Sequence, residues 1–455
     1  MKSFSFFVAI LFLILAPLAA TQSRSSAGKA SGAGAHKLLA VKATGSTRYT
    51  ANEILAASGL TLGQIAAEDD FKEAVHRLGS SGLFSEVLYS FSYSDQGVKV
   101  EFQLTDTDKI KLVPAHFENF VWFTDPELHA SLERRVPLFK DALPATGQMP
   151  DQITQALQAL LDEHHLPGRV DFIREAKPNG GDVTGVTFRV EEMSIVIRTV
   201  EFPGASADQA AFLASSARKL VGAQYSRAMI ATVAEYDLRA LFLQRGYLKA
   251  AFSPAGARVI APAAEQSPGQ SSTTQADNKP QEETEVDAII PVAPGKQYSV
   301  SEVGWKGNSA VATQDAARLL HLTPGQPADA VRLDRDLETL TKLYRSRGYM
   351  AVQIKPDPQM EDEKSLVHYI INVSEGDVYK MGELEILGVD TTSKDRLRGA
   401  WSLREGQPYN SDYTRKFLVD NVSLLPKGAR YSTKISEELD AKDKTVDVTI
   451  HFKMQ

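Results

Sequence analysis

Apolar and polar positions alternate in five widely spaced stretches: "HKLLAVKATG" (36–45), "IKLVPAHFENFVWF" (110–123), "IVIRTVEFPG" (195–204), "YSVSEVGWKGN" (298–308) and "YKMGELEILGVD" (379–390). A period of two with β-branched residues and a Gly or Asn stop predicts a strand each time. Behind each strand the period changes. A short helical stretch ends in Gly63-Gln64, Gly147-Gln148, Gly222 with Gln224, Gly325-Gln326 or Gly406-Gln407. Glycine there suits a helix C-terminus, which needs a positive φ. A second helix follows. In the fourth copy Val331, Leu333, Leu337, Leu340 and Tyr344 fall on one face. This helix stops at Gly82, Gly168, Gly246, Gly348 or Gly428, between 19 and 24 residues beyond the first glycine. So steady a gap marks an internal repeat.

Two more alternating stretches close each copy. The outer is "EVLYSFSY" (86–93), "RVDFIRE" (169–175), "YLKAAFS" (247–253), "MAVQIKP" (350–356) or "RYSTKIS" (430–436). The inner is "VKVEFQLTD" (98–106), "VTFRVEE" (186–192), "VDAIIPVAPG" (286–295), "VHYIINVSEG" (367–376) or "VDVTIHF" (446–452). The expected fold class is α+β: a tandem array of five β-α-α-β-β domains at 37–109, 110–193, 194–294, 295–375 and 376–455. The second is divergent, its helices blurred by Pro137, Pro144 and Pro150 and its joint written "DEHHLPGR". The third carries a polar insert, 262–284, that lacks apolar periodicity and is expected to be disordered.

Gly-Gln after the first helix, then Leu-x-x-x-Gly-Tyr/Phe into a strand, then a strand ending Val-x-Glu-Gly, resembles the POTRA domain. The resemblance rests on Gly325, Gln326, Leu343, Gly348, Tyr349, Val373, Glu375 and Gly376, with Gly63, Gln64, Leu78, Gly82 and Phe84 in the first copy and Gly246 in the third. It covers about 37–455. POTRA domains precede the barrel in BamA-like outer-membrane assembly factors and in two-partner secretion transporters. The resemblance implies small three-stranded mixed sheets with two helices on one face. It also implies that the edge strand is the one just after the second helix. No further series of alternating strands follows "TVDVTIHFKMQ", so the resemblance is to the repeat region of such factors without the C-terminal β-barrel.

The remaining features narrow the function. "MKSFSFFVAILFLILAPLAATQS" has the layout of a secretory leader, 1–20, followed by a small, polar tether, 21–36. An uncleaved anchor is the alternative. The chain has no cysteine, which excludes disulfides and thiolate chemistry. A net charge of -7 gives no reason to expect nucleic acid. No Gly-x-Ser-x-Gly, Walker A or His-Glu-x-x-His pattern occurs, so no catalytic residue, cofactor, metal ligand or small-molecule substrate is expected. His164-His165 reads as a solvated helix end. Asp334, Arg335, Asp336 and Glu338 read as a solvated charged face, and Trp122, Trp305 and Trp401 as core or inter-domain packing.

An unpaired strand edge can accept an extended peptide through backbone bonds. The candidate pairing residues are Tyr247, Lys249 and Phe252 in the third copy and Tyr349, Val352, Ile354 and Lys355 in the fourth. Lys249, Lys355 and the bounding prolines read as guards against edge-to-edge aggregation. The expectation is a periplasmic scaffold or chaperone at the inner face of the outer membrane, associated with that membrane only through a partner. Its partners would be unfolded outer-membrane proteins or other envelope-complex subunits. The alternative is a structural docking subunit of an envelope complex, or an anchored division-protein-like POTRA protein, that never touches clients.

Overall fold

The computed structural model describes residues 35–177, 180–260, 283–426 and 430–454. The leader, nearly all of the tether, Gly428 and most of the insert lie outside them. Glu283 and Thr284, expected in that insert, instead open the strand Glu283–Ile289. The chain divides between Ser194 and Ile195 into two bodies.

In the first body, strand His36–Thr44 runs parallel to Gly97–Asp106, which pairs antiparallel with Phe84–Ser94. The second sheet repeats this with Leu112–Phe117, Val183–Glu191 and Arg169–Ala176. The second body has three such sheets. Ser194–Glu201, Glu283–Ile289 and Gly256–Val259 form the third, in that spatial order. The fourth has Ser299–Lys306, Leu366–Ser374 and Gln353–Glu361, and the fifth has Lys380–Leu387, Thr445–Met454 and Tyr431–Asp440. Chain order and spatial order differ: the last strand of each unit lies in the middle, because it closes a hairpin back against the first.

Burial follows from that placement. Val98, Val100, Phe102 and Leu104 on one middle strand are buried, as are Val446, Val448, Ile450 and Phe452 on another. Each such side chain contributes about 1.5–3 kcal/mol by leaving water. Two helices cover the buried face of each sheet. Their starts carry short polar caps: Thr50 accepts from the Glu53 N–H, Ser206 from Gln209, Asp329 from Arg332 and Asp390 from Ser393. The prolines that blur the second unit do not break it. Pro150 sits in the first turn of the 15-residue helix Met149–Glu163, where a missing N–H is harmless. In the third unit the second helix runs as Arg227–Val233 and Arg239–Leu243 with a π-helical turn, Ala234–Leu238, between them.

Two expectations are corrected here. Gly63, Gly222, Gly325 and Gly406 do have φ near +80° to +90°, but they lie past the first helix, in the turn that leads to the second. Asp336 is not on a solvated face: it is 4% exposed. Its carboxylate accepts the His321 N–H at 2.7 Å, meets His321 Nδ1 at 2.9 Å and pairs with Arg332. A turn 15 residues upstream folds over it. Of the tryptophans, Trp401 is buried edge-on between Tyr413 and Phe417, while Trp122 and Trp305 are partly buried against their cores.

The joint after each second helix also differs from a plain turn into a strand. Tyr247 and Tyr349 fold back: each donates its N–H to the helix, to Phe242 and Tyr344 respectively, and sets its ring edge-on to theirs. The next residue goes forward. Met350 is buried in the core of the fifth unit, and Leu248 packs on the core of the fourth. The Gly348 carbonyl accepts the Tyr379 N–H at 2.8 Å, and the Tyr379 carbonyl accepts the Tyr409 N–H at 2.9 Å. The same relay joins Gly246, Tyr298 and Ala328 at 2.8 and 2.9 Å. A Cβ on Gly348 would lie 2.9 Å from Val378 Cγ1 and 3.1 Å from the Tyr379 carbonyl oxygen. Gly246 and Gly82 are as crowded by the unit that follows, at 2.5 Å from the Tyr298 and Thr146 carbonyl oxygens. These glycines are where one repeat docks on the next.

Candidate functional site

Each sheet has two edges, and the sequence treats them differently. On the first-strand side the Gly-Gln turn straps the edge. Gly63 donates to the Leu38 carbonyl at 2.7 Å, and Leu38 donates back to Gln64 at 2.8 Å. Gly222 and Ala223 do the same to Ile197, Gly325 and Gln326 to Val300, and Gly406 and Gln407 to Met381. In the second unit the short strand Ala142–Pro144 takes this place against Leu112–Pro114. Around Gly222, Gly325 and Gly406 a Cβ would meet nothing, so these glycines supply a backbone angle and not space. The Gln64 and Gln407 side chains close their own turns by accepting the Thr61 and Arg404 N–H groups.

The other edge is formed by the strand after the second helix. Among the described residues no further strand pairs with Phe84–Ser94, Arg169–Ala176, Gly256–Val259, Gln353–Glu361 or Tyr431–Asp440 on that side. These are the candidate sites, because a strand edge leaves N–H and C=O groups unpaired.

The expected pairing residues divide. Ile354 and Lys355 lie on the fourth unit's edge strand, which begins at Gln353. Tyr349 belongs to the joint, and Val352 is buried in the fourth unit's own core. Period-two alternation runs unbroken through Met350, Val352 and Ile354, but the first two are apolar for packing reasons. In the third unit Phe252 lies in the two-residue strand Ala251–Phe252, which pairs with Val292–Ala293. Tyr247 and Lys249 precede any strand. Lys249 instead holds Asp362 in the fourth unit's hairpin with both oxygens at 2.7 Å, and the Tyr298 hydroxyl donates to Asp362 at 2.6 Å. That carboxylate is held below its usual range by the Lys249 bond first and the Tyr298 bond second. Among the described residues the third unit's edge strand is Gly256–Val259.

Glu375 has a structural role. Its carboxylate accepts the Ala310 N–H at 2.7 Å and the Tyr344 hydroxyl at 3.0 Å, tying the loop after the first strand to the second helix. Burial, and then this carboxylate, push the Tyr344 phenol above its usual range. Gly376 continues the turn with φ +72°. Phe84 is a core residue at the start of the first unit's edge strand.

The fifth unit holds a feature that the candidate residues missed. A groove of ≈ 420 Å³ lies along its edge strand, lined by Arg415 from the helix Tyr413–Asp420 and by Thr433, Ile435 and Glu437. Glu437 is held by the Tyr409 hydroxyl at 2.7 Å. One helical turn beyond Arg415, Val419 is 77% exposed, and Val422 just past the helix is 65% exposed. Alternation in "TKISEEL" (433–439) was the signal available. Among the described residues no group of acidic, His or Cys side chains could hold a metal ion.

Comparison with known proteins places these observations. Residues 298–376 match the family model POTRA, described as surface antigen variable number repeat. The chain is 24% identical over 177 residues to the outer membrane protein assembly factor BamA of Buchnera aphidicola, covering 38% of this chain and 28% of that protein. It is 23% identical over 180 residues to BamA of Neisseria meningitidis, covering 37% and 23%. The matches thus span about a quarter of the length of these curated relatives. Among solved structures, POTRA domains 3–5 of Haemophilus influenzae BamA align with 57% of this chain and 96% of that one, at TM-score 0.42 and 16% identity.

Proposed function

We propose that this POTRA-repeat chain is a periplasmic scaffold in outer-membrane protein assembly, binding extended segments of unfolded outer-membrane proteins, or of partner subunits, by adding them to its free sheet edges. The resemblance to BamA-type POTRA repeats supports the assembly role and the periplasmic site. The observation that carries the binding mode is the asymmetry of the sheets: the Gly-Gln turn bonds the start of the first strand, at Leu38, Ile197, Val300 or Met381, whereas among the described residues no strand or turn pairs with the outer strand's free edge. Backbone pairing asks little of side-chain sequence, which suits clients that share only alternation. No covalent step is needed, and nothing in the proposal requires a cofactor.

The test is retention of a urea-unfolded outer-membrane barrel protein, diluted from denaturant, on the immobilised full chain. A photo-crosslinker at Tyr89 or Ile435 should capture the client, and one at a strapped position, Lys37 opposite Ile65 or Lys380 opposite Pro408, should not. No retention, with a fixed envelope partner co-purifying instead, would sink the client-binding reading in favour of docking.

A further inference from the structure

In an antiparallel ladder a residue either exchanges both backbone groups with its partner or points both away. Proline has no N–H, so on an edge strand it takes the outward position. In the fourth unit Pro356 lies opposite Ile371 and Pro358 opposite Tyr369, with no register shift along the pairing. The outward positions of this strand are therefore Ile354, Pro356, Pro358 and Met360. Two consecutive ones offer no donor. A strand laid along this edge would meet that gap in its middle whatever its register.

Chirality carries the same phase to the other sheets. For an L-residue, strand direction and the face taken by the side chain together fix the side to which N–H points. The outer strands of the second, fourth and fifth units all run antiparallel to a middle strand and lie on the same side of it. Outward N–H groups therefore belong to residues opposite the buried positions of the middle strand. The second unit provides an independent check. Val170, opposite buried Val190, donates its N–H to Gln158 Oε1 at 2.8 Å, and Phe172, opposite buried Phe188, donates to Asp171 Oδ1 at 2.8 Å. Both N–H groups point outward, and side chains already occupy both. In the fifth unit the corresponding residues are Thr433, Ile435, Glu437 and Leu439, opposite Phe452, Ile450, Val448 and Val446. That pairing is unbroken over Tyr431–Asp440, which contains no proline. The first three of these residues also line the groove beside Arg415.

We infer that Pro356 and Pro358 close the fourth unit's edge, so that strand pairing in the second body is directed to Tyr431–Asp440 of the fifth. This rests on the pairing role proposed above. The occupant is an extended peptide segment. What the edge presents is a row of outward donors and acceptors at strand spacing, beside a groove that holds both the Arg415 cation and the Glu437 carboxylate, the latter bonded by the Tyr409 hydroxyl. In the third unit the described edge strand, Gly256–Val259, spans four residues. Gln158 and Asp171 do in the second unit, by capping, what the two prolines do in the fourth.

The absence of cysteine allows a direct test in the full chain. Asp357→Cys and Lys434→Cys each place one thiol on an exposed position of the respective edge strand. The peptide acetyl-Cys-Gly-Gly-Thr-Val-Thr-Val-Thr-amide is tethered there by a disulfide, and amide hydrogen exchange is read. Tethering at Lys434→Cys should slow exchange at Ile435 and Glu437 about tenfold or more, since each new backbone bond adds stability of that order. Tethering at Asp357→Cys should leave Ile354 and Met360 unchanged. Adding Pro356→Thr and Pro358→Thr should then bring protection to Ile354, with exchange on the middle strand Leu366–Ser374 unchanged as a sign of correct folding. Thr433→Pro should reduce the protection of the fifth edge. Protection at Asp357→Cys with both prolines in place, no gain on replacing them, or no protection at Lys434→Cys would each overturn the inference. No free client is used, so failure of client retention refutes the proposed function without touching this result.

Discussion

Replacing Gly348 by alanine tests whether the joint glycine docks the next repeat or merely ends a helix. Gly348 has φ +95°, and its missing Cβ would lie 2.9 Å from Val378 Cγ1, 3.1 Å from the Tyr379 carbonyl oxygen and 3.4 Å from that of Tyr409. Gly325 is the control: φ is +80°, and nothing lies within 4 Å of its Cβ position. Gly325→Ala should therefore cost the conformational strain alone, about 1–2 kcal/mol. Gly348→Ala adds overpacking against backbone that is slow to yield, so its total should be about 2–5 kcal/mol. The location matters more than the size. Gly348 accepts from Tyr379, Tyr379 from Tyr409, and Met350 is seated in the fifth unit's core. The excess in Gly348→Ala should appear as faster exchange of the Tyr379 and Tyr409 amides, by at least about tenfold. Gly325→Ala should leave those two amides as they were. Equal exchange at Tyr379 and Tyr409 in the two variants would refute the docking role, whatever the global stabilities are.

Met350→Ala should lower the stability of the fifth unit by about 2–5 kcal/mol and that of the fourth by less, read by proteolysis fragments and exchange along Thr445–Met454. Glu375→Ala leaves the Ala310 N–H and the Tyr344 hydroxyl without their acceptor and should cost about 2–3 kcal/mol in urea unfolding, with Glu375→Gln recovering part of it. Glu53 is held down to about 2, from 4.5, first by its bond to Lys140 in the neighbouring unit and then by the Thr50 N–H. Because the folded value is the lower one, the stability that Glu53 contributes is present above pH 4.5 and fades as pH falls toward about 2. Acid titration should show the Glu53 carboxyl returning toward its ordinary value in Lys140→Ala; an unchanged titration would remove Lys140 as the cause. Lys249→Ala, which breaks an exposed pair with Asp362, should change stability by less than about 1 kcal/mol, checked by thermal unfolding.

The repeat was legible because its markers are local. A glycine at +80° to +95°, an apolar face at helical spacing and a period of two each announce themselves within a dozen residues. The edge residues were less legible because the sequence pattern does not say which core an apolar residue enters. Met350 alternates correctly with Val352 and Ile354, yet it serves a core whose other members begin at Tyr379. Asp336 looked solvated because its neighbours on the helix are charged, while its partner His321 lies on a turn that only folding brings over it. The third unit's edge was misplaced by a few residues for a related reason: Tyr247 and Leu248 are used at the joint before Pro254, and the ladder resumes only at Gly256.

The closed edge and the tied joint occur on the same strand, and this suggests why the prolines are where they are. Just before the fourth unit's outer strand, Met350 sits in the fifth unit's core; just after it, the Asp362 carboxylate takes Lys249 from the third. Both ends of Gln353–Glu361 are thus committed to neighbouring repeats. A peptide added there would bind beside two inter-repeat contacts, and any twist it imposed on the strand would be felt at both. Proline at two outward positions removes that possibility without altering the ladder on the inner side, since neither residue donates there. The fifth unit's hairpin turns on its own residues, with Asp440 accepting from Lys442 and Asp443. A strand added to Tyr431–Asp440 would not disturb a contact of that turn with another repeat among the described residues. Pairing is therefore least costly to the array where the outer strand ties no neighbour at its hairpin end, and that is where the backbone donors are left uncovered.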